Sequence, residues 1–340
     1  MKTSEVLRLR LANQKLSAPH FKQPAEVVRW LGAVQAQDFN AAKWALGLRM
    51  SEATNAVVEA AFNKGEILRT HLLRPTWHFV TPQDIRWLLE LTAPRVNLKC
   101  APNYRKYELD DATFKRANKA LTKALQGGKH LTRATLKTVL NKSGVVVDDP
   151  VRLVHVLLRA ELDGVVCSGP RSGKQFTYAL LEERVTPTKP LTRDEALAKL
   201  TQRYFNSHGP ATVPDFVWWS GLTAADAKRG IDLADLREDI VAGKTYWTGR
   251  SATTSPSEHS AHLLPAFDEY NVAYKDRELV LDGNKDISTW DLLGPIIIVN
   301  GKIAGTWKGT TLNILNGANK ADKTAIAKAA ERYTKFLGAD

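Results

Sequence analysis

Four amide or acid side chains fall within six residues in the run Gln35-Ala36-Gln37-Asp38-Phe39-Asn40. Neutral amides can hold a water or a polar ligand, and a carboxylate can also take a proton or face a positive charge. Glutamines at i and i+2 reach one point only if the backbone leaves regular helix there, since helical neighbours meet at i+3 and i+4. A solvated helix end uses the same residue types. A second concentration lies in residues 67–80, with Arg69, His71, Arg74, Trp77 and His78. Arginine suits phosphate, and an aromatic ring can wedge or stack against a base. In an ordinary amphipathic hairpin Trp77 would instead enter the core. His71 and His78 are metal-ligand types, but no third ligand is near them in sequence. A third lies in Arg171-Ser172-Gly173-Lys174, two cations on a Gly-flanked tip that fit either a nucleic-acid backbone or a solvated turn. There is no P-loop, GxGxxG, GxSxG or HExxH pattern, so any enzyme here works without an evident metal or nucleotide cofactor.

The elements that must position these residues can be read from periodicity and breakers. Helices are expected at 4–16, from Pro24, at 41–48 and at 52–63, and Gly65 stops the last. Two short strands, 67–73 and 75–80, follow, then a helix at 82–91. Three helices and a two-stranded wing make a winged helix-turn-helix. The order recurs: helices at 112–126, 132–140 with Thr132 as N-cap, and 150–162 behind Asp149-Pro150, with Val154, Leu157, Leu158 and Leu162 as the apolar stripe. Strands at 165–168 and 175–180 flank the Arg171–Lys174 tip. After a linker at 186–190 come helices at 192–205, 212–219 and 223–229. Thr212 and Asp215 form a capping pair there, and the surrounding aromatics read as core. The Ser/Thr-rich stretch 251–260 is expected to be mobile. Beyond it, strands are expected at 279–281, 295–299 and 302–307, with a turn at Asn300-Gly301, and a helix closes the chain at 319–337.

The expected fold is therefore mainly α with short β-hairpin wings. Three tandem winged-helix units occupy 1–110, 111–188 and 189–258, and an α+β, β-rich domain occupies 259–340. Of 340 residues, 48 are Lys or Arg and 36 are Asp or Glu, a net charge of +12. Residues 1–110 hold 16 basic against 10 acidic residues and 111–190 hold 14 against 7, whereas the remainder is balanced. A one-sided basic field is what a polyanion footprint requires. No apolar run approaches the ~20 residues that span a bilayer, and the first 16 residues do not read as a secretory signal. Only Cys100 and Cys167 are present, which points to a reducing compartment rather than a disulfide framework or zinc site.

Gln35-Ala36-Gln37 after a helix, the hairpin Leu72-Leu73-Arg74-Pro75-Thr76-Trp77-His78-Phe79-Val80, the aromatic stretch from Tyr204 to Leu222, and Leu263-Leu264-Pro265-Ala266-Phe267-Asp268-Glu269-Tyr270 together resemble the bacterial winged-helix DNA glycosylases of the AlkZ/YcaQ type. The likeness spans nearly the whole chain. It implies tandem winged-helix units forming a concave DNA-binding surface. It also implies hydrolysis of the N-glycosidic bond of N7-alkylated purines, with unhooking of interstrand crosslinks in some members. By the same resemblance Gln35 and Gln37 are the catalytic residues; the chemistry of an acid beside them makes Asp38 a secondary candidate, to face positive charge or act as base. Arg69, His71, Arg74, Trp77, His78, Arg171 and Lys174 are then expected to contact DNA. The expected partner is double-stranded DNA with alkylated bases, met by a cytoplasmic monomer without cofactor or membrane contact. One departure is visible: Pro75 stands where many members carry Gly in an Arg-Gly-Thr-x-His wing. The alternative is a non-enzymatic winged-helix DNA-binding protein or transcription regulator. That would call for a dimeric footprint with regular half-site spacing.

Overall fold

Helix α1 (Thr3–Asn13) buries Val6, Leu7, Leu9 and Leu11, and also Arg10 and Asn13, so polar and apolar residues share its inner face. Arg10 Nε donates to the Pro210 carbonyl at 2.9 Å and Asn13 Nδ2 to the Gly209 carbonyl at 2.7 Å. Helix α2 (Pro24–Leu31) starts on Pro24 and ends at Gly32 (φ +87°), whose N–H caps Val28. The segment β1 (Val34–Gln35) is extended. Helices α3 (Phe39–Gly47) and α4 (Asn55–Lys64) follow. The computed structural model describes residues 1–250, 259–284, 287–288 and 290–338, so most of the Ser/Thr-rich stretch 251–260 lies outside the described residues. Two compact units result: Met1–Glu59 with Leu197–Asp340, and Ala60–Ala196.

In the second unit, β2 (Leu68–Leu72) and β3 (Arg74–Val80) pair antiparallel from Leu68↔Val80 to Leu72↔Arg74, with Leu73 at φ +60° between them. Helix α5 (Pro82–Lys106) comes next. It runs 15 residues past the expected end at Leu91. Pro94 and Pro102 lie inside it, and both are exposed. The carbonyls that a proline leaves without a helical donor can then turn to water, and the helix need not stop. Then come α6 (Asp111–Leu125), β4 (Leu131–Thr132), α7 (Arg133–Lys142), α8 (Pro150–Leu162), β5 (Val166–Ser168), β6 (Thr177–Leu180) and the short α9 (Leu181–Arg184). The strands form a three-stranded sheet in the order β4-β6-β5. Thr132 and Asp149 cap α7 and α8 as expected. Helix α8 buries Leu153, Val156, Leu157, Leu158, Glu161 and Leu162, a wider face than the expected stripe, and Val154 is only partly covered.

The chain returns to the first unit through α10 (Arg193–Ser207), α11 (Val213–Ser220) and α12 (Ala224–Leu233). Thr212 and Thr223 each cap with an Asp three residues on, and a hairpin of β7 (Leu236–Val241) and β8 (Lys244–Gly249) follows. Strand β9 (Ala261–Leu264) precedes the single turns α13 (Glu269–Val272) and α14 (Glu278–Leu281). The strand expected at 279–281 is thus a helical turn; a three-residue apolar run carries no period to tell the two apart. Strands β10 (Ile296–Val299), β11 (Lys302–Lys308) and β12 (Thr311–Ile314) complete an antiparallel sheet in the order β12-β11-β10-β9. Asn300 and Gly301 both take positive φ in its turn, as Asn-Gly does in a two-residue hairpin. The closing helix α15 (Lys320–Leu337) packs Tyr333 and Phe336 against Trp44, with ring centroids 5.1 and 5.0 Å apart. Arg332 donates to the carbonyls of Gly47, Leu48 and Met50, where α3 ends.

Cys100 in α5 and Cys167 in β5 are buried and unbridged. Burial pushes both thiols up, that of Cys167 to about 12.

Candidate active site and nucleic-acid interface

The two glutamines sit on the link between α2 and α3. Gly32 ends one helix in a left-handed conformation, and Asp38 begins the next by accepting the Asn40 and Ala41 N–H groups on one oxygen, at 3.0 Å each. Between these two stops the chain is not helical, which is the condition under which residues two apart can serve one point. Val34 and Ala36 are fully buried and anchor the link, Gln35 is buried, and Gln37 and Asp38 are exposed. Asp38 therefore has a structural duty as N-cap of α3.

Behind this link lies a buried polar network. The Gln35 backbone N–H donates to Glu269 Oε1 at 2.7 Å. Trp219 Nε1 donates to Glu269 Oε2 at 2.9 Å, and His208 Nε2 stands 3.5 Å from the same oxygen. Burial, the largest influence, holds His208 below its ordinary range despite that carboxylate. Next door, Arg49 makes a bidentate pair with Asp268, and its Nη2 also reaches Gln14 Oε1 at 2.8 Å. Gln14 Nε2 in turn donates to the Tyr274 hydroxyl at 3.1 Å, which donates to the His208 carbonyl at 2.6 Å. The aromatic stretch from Tyr204 supplies core, as expected: Tyr204, Phe205, Phe216 and Trp219 are fully buried. Asp268 and Glu269 carried no assigned role in the sequence reading. Two adjacent acids in an otherwise apolar run were the available signal, because acids are buried only with partners.

In the second unit the hairpin side chains divide by burial. His71 is buried, and its backbone N–H and Nδ1 lie 2.7 and 2.6 Å from Glu161 Oε2 in α8. Its ring lies against Trp77, the centroids 4.3 Å apart and the planes tilted by 40°. The Arg69 guanidinium is buried between the rings of Trp77 (4.2 Å) and Phe176 (4.7 Å). His78 is held well below its ordinary range, first by burial and then by Arg74. Its Nδ1 donates to the Thr76 carbonyl at 2.9 Å while Nε2 faces Arg74 Nη2 at 3.5 Å. Arg74 and Trp77 are partly exposed, and Pro75 is exposed. At the tip before β6, Arg171 Nη2 donates to the Lys174 carbonyl at 2.5 Å and its guanidinium covers Phe176, while Lys174 is exposed. This unit holds 23 basic against 14 acidic residues, the other 25 against 22. Among the described residues no three His, Cys, Asp or Glu side chains converge as a metal site would require.

A family model described as "DNA glycosylase AlkZ-like" matches residues 28–336. The chain is 26% identical over 329 residues to an interstrand DNA cross-link repair glycosylase of Streptomyces sahachiroi, covering 89% of this chain and 87% of that one. The solved structure of Streptomyces sahachiroi DNA glycosylase AlkZ superposes with a TM-score of 0.83 at 24% identity, covering 99% of this chain and 97% of the other. The mostly helical architecture with small antiparallel sheets is therefore a shared fold.

Proposed function

The chain belongs to the AlkZ-like DNA glycosylase family, enzymes that hydrolyse N-glycosyl bonds, and from that premise we propose that its substrate is double-stranded DNA bearing N7-alkylated purines. In this reading Gln35 and Gln37 hold the attacking water. An N7-alkylated purine is cationic, so its bond to the sugar is already weakened and the leaving group needs no strong general acid. What remains is to place a water beside a developing oxocarbenium, and positioning can supply several kcal/mol of the barrier. Gln-x-Gln on a non-helical link, anchored through the Gln35 N–H to a buried carboxylate, is the observation that carries this reading. Asp38 supports from the N-cap of α3.

DNA contact falls to the hairpin and to the Arg171–Lys174 tip of the basic unit. Arg74, Trp77, Arg171 and Lys174 meet the duplex, while the buried Arg69, His71 and His78 hold the hairpin that presents them. Because the Streptomyces relative is named for cross-link repair, unhooking of interstrand crosslinks belongs to the proposal, and such lesions do not demand complete extrusion of a base. The protein acts in the cytoplasm as a monomer, with three winged-helix modules at 1–110, 111–188 and 189–258 and a β-rich module at 259–340. The test is release of 7-methylguanine from methylated duplex. The Gln35→Ala/Gln37→Ala variant is expected to bind DNA and release no base. Release at the wild-type rate would overturn the assignment.

A further inference from the structure

Burying a carboxylate is costly, and for stability alone an apolar residue of similar volume serves as well or better. Glu269 is fully buried all the same. What it provides that an apolar residue cannot is two acceptor oxygens pointing opposite ways. Oε1 takes the Gln35 backbone N–H, 234 residues away in sequence, and Oε2 takes the indole N–H of Trp219 from α11. Both bonds are short, as charge-assisted ones are. Neighbouring Arg49 directs both terminal nitrogens to Asp268, and Asp268 also accepts the Tyr270 N–H at 2.9 Å. The acid pair at the start of α13 is thereby split: Asp268 fastens the turn to Arg49 just past α3, and Glu269 fastens the glutamine link to α11.

We infer that Glu269 is a positioning residue of the active site, fixing the backbone of Gln35 so that its side-chain amide stays aimed at the water. This rests on the catalytic reading of Gln35. Acceptor capacity at both oxygens is what the position demands. A glutamine there has one oxygen and one NH2, so whichever way it turns, the NH2 meets either the Gln35 N–H or the Trp219 indole N–H donor to donor. Replacing Trp219 by Phe removes the second donor and keeps an aromatic ring. The amide oxygen of Glu269→Gln can then turn to Gln35.

The experiment is single-turnover release of 7-methylguanine from methylated duplex, with DNA affinity and melting temperature measured on the same preparations. E269Q is expected to slow release tenfold or more at unchanged affinity. E269Q/W219F is expected to release several-fold faster than E269Q although it also lacks the Trp219 indole donor. A merely structural role predicts the reverse, since replacing the fully buried Trp219 by a smaller ring would only add damage. Wild-type release by E269Q, or a double variant no faster than E269Q, overturns the inference. If E269Q does not accumulate as folded protein, Glu269→Asp replaces it: the charge remains but the shorter side chain cannot span both donors, and a wild-type rate in that variant also overturns the inference. Gln35→Ala is run alongside. If it releases base at the wild-type rate, the catalytic reading fails. If it is inactive while E269Q is not, the failure belongs to Glu269 alone.

Discussion

Arg49 and Asp268 face each other through two parallel hydrogen bonds of 2.9 Å, with both side chains wholly excluded from solvent. Deleting the acid strands a guanidinium in the interior. Asp268→Ala is expected to cost about 3–5 kcal/mol in urea unfolding, and Arg49→Met/Asp268→Leu is expected to cost less than that single change, because no buried charge is left alone. A double variant as damaged as Asp268→Ala would show that the pair's other bonds, not its charges, carry the stability.

The β2–β3 hairpin hangs on Glu161, which meets both the backbone and the ring of His71. Glu161→Ala is expected to destabilise the second unit by on the order of 3 kcal/mol and to speed amide exchange across residues 68–80. Unchanged protection there would mean that strand pairing holds the hairpin without help from α8.

His262 on β9 is pushed down to about 3, chiefly by burial and secondarily by Arg332, and His208 is lowered as well. His262 is therefore neutral in the folded chain at pH 5–7, whereas the unfolded chain takes up a proton there as pH falls through about 6.5, and the lowering of His208 acts in the same direction. The unfolded state binds more protons in that window, so stability falls as pH drops from about 6.5 toward 3. Between pH 6.5 and 4.5, His262→Leu is expected to lose about 2 kcal/mol less than the wild type. Equal losses, by urea titration at the two pH values, would count against a neutral buried His262.

A Cβ on Gly47 would lie 2.7 Å from the Phe336 ring. Gly→Ala inside a helix ordinarily gains about 1 kcal/mol. Here overpacking should reverse the sign, for a net loss of about 1–3 kcal/mol, and adding Phe336→Leu should recover part of it. Thermal melts of the three variants decide this; a stabilised Gly47→Ala would show that α15 yields easily.

Local chemistry made much of this fold legible. Asp149-Pro150 opens α8, Thr132 caps α7, and Asn300-Gly301 turns β10 into β11, each through bonds within a few residues. What escaped depends on distant partners or on which side faces water. Helix α5 continues because Pro94 and Pro102 point outward, and no periodicity before them reveals that. His71 and His78 have residue types that suit DNA, yet both are buried, and the acid that accounts for His71 is 90 positions away. A lone Glu161 amid Val156, Leu157, Leu158 and Leu162 was the clue, since an acid on an apolar helix face needs a partner. Gln35 and Gln37 were visible as unusual residues, but the carboxylate that holds their link comes from the far end of the chain.

The two buried sulfurs bear on the conditions such an enzyme would meet. Alkylating agents react with thiolates readily, and only the deprotonated, accessible form is a good nucleophile. Cys100 and Cys167 are covered and held protonated at neutral pH. The folded protein thus offers electrophiles no exposed thiolate, which favours its survival under the same chemical exposure that creates the lesions proposed as its substrates.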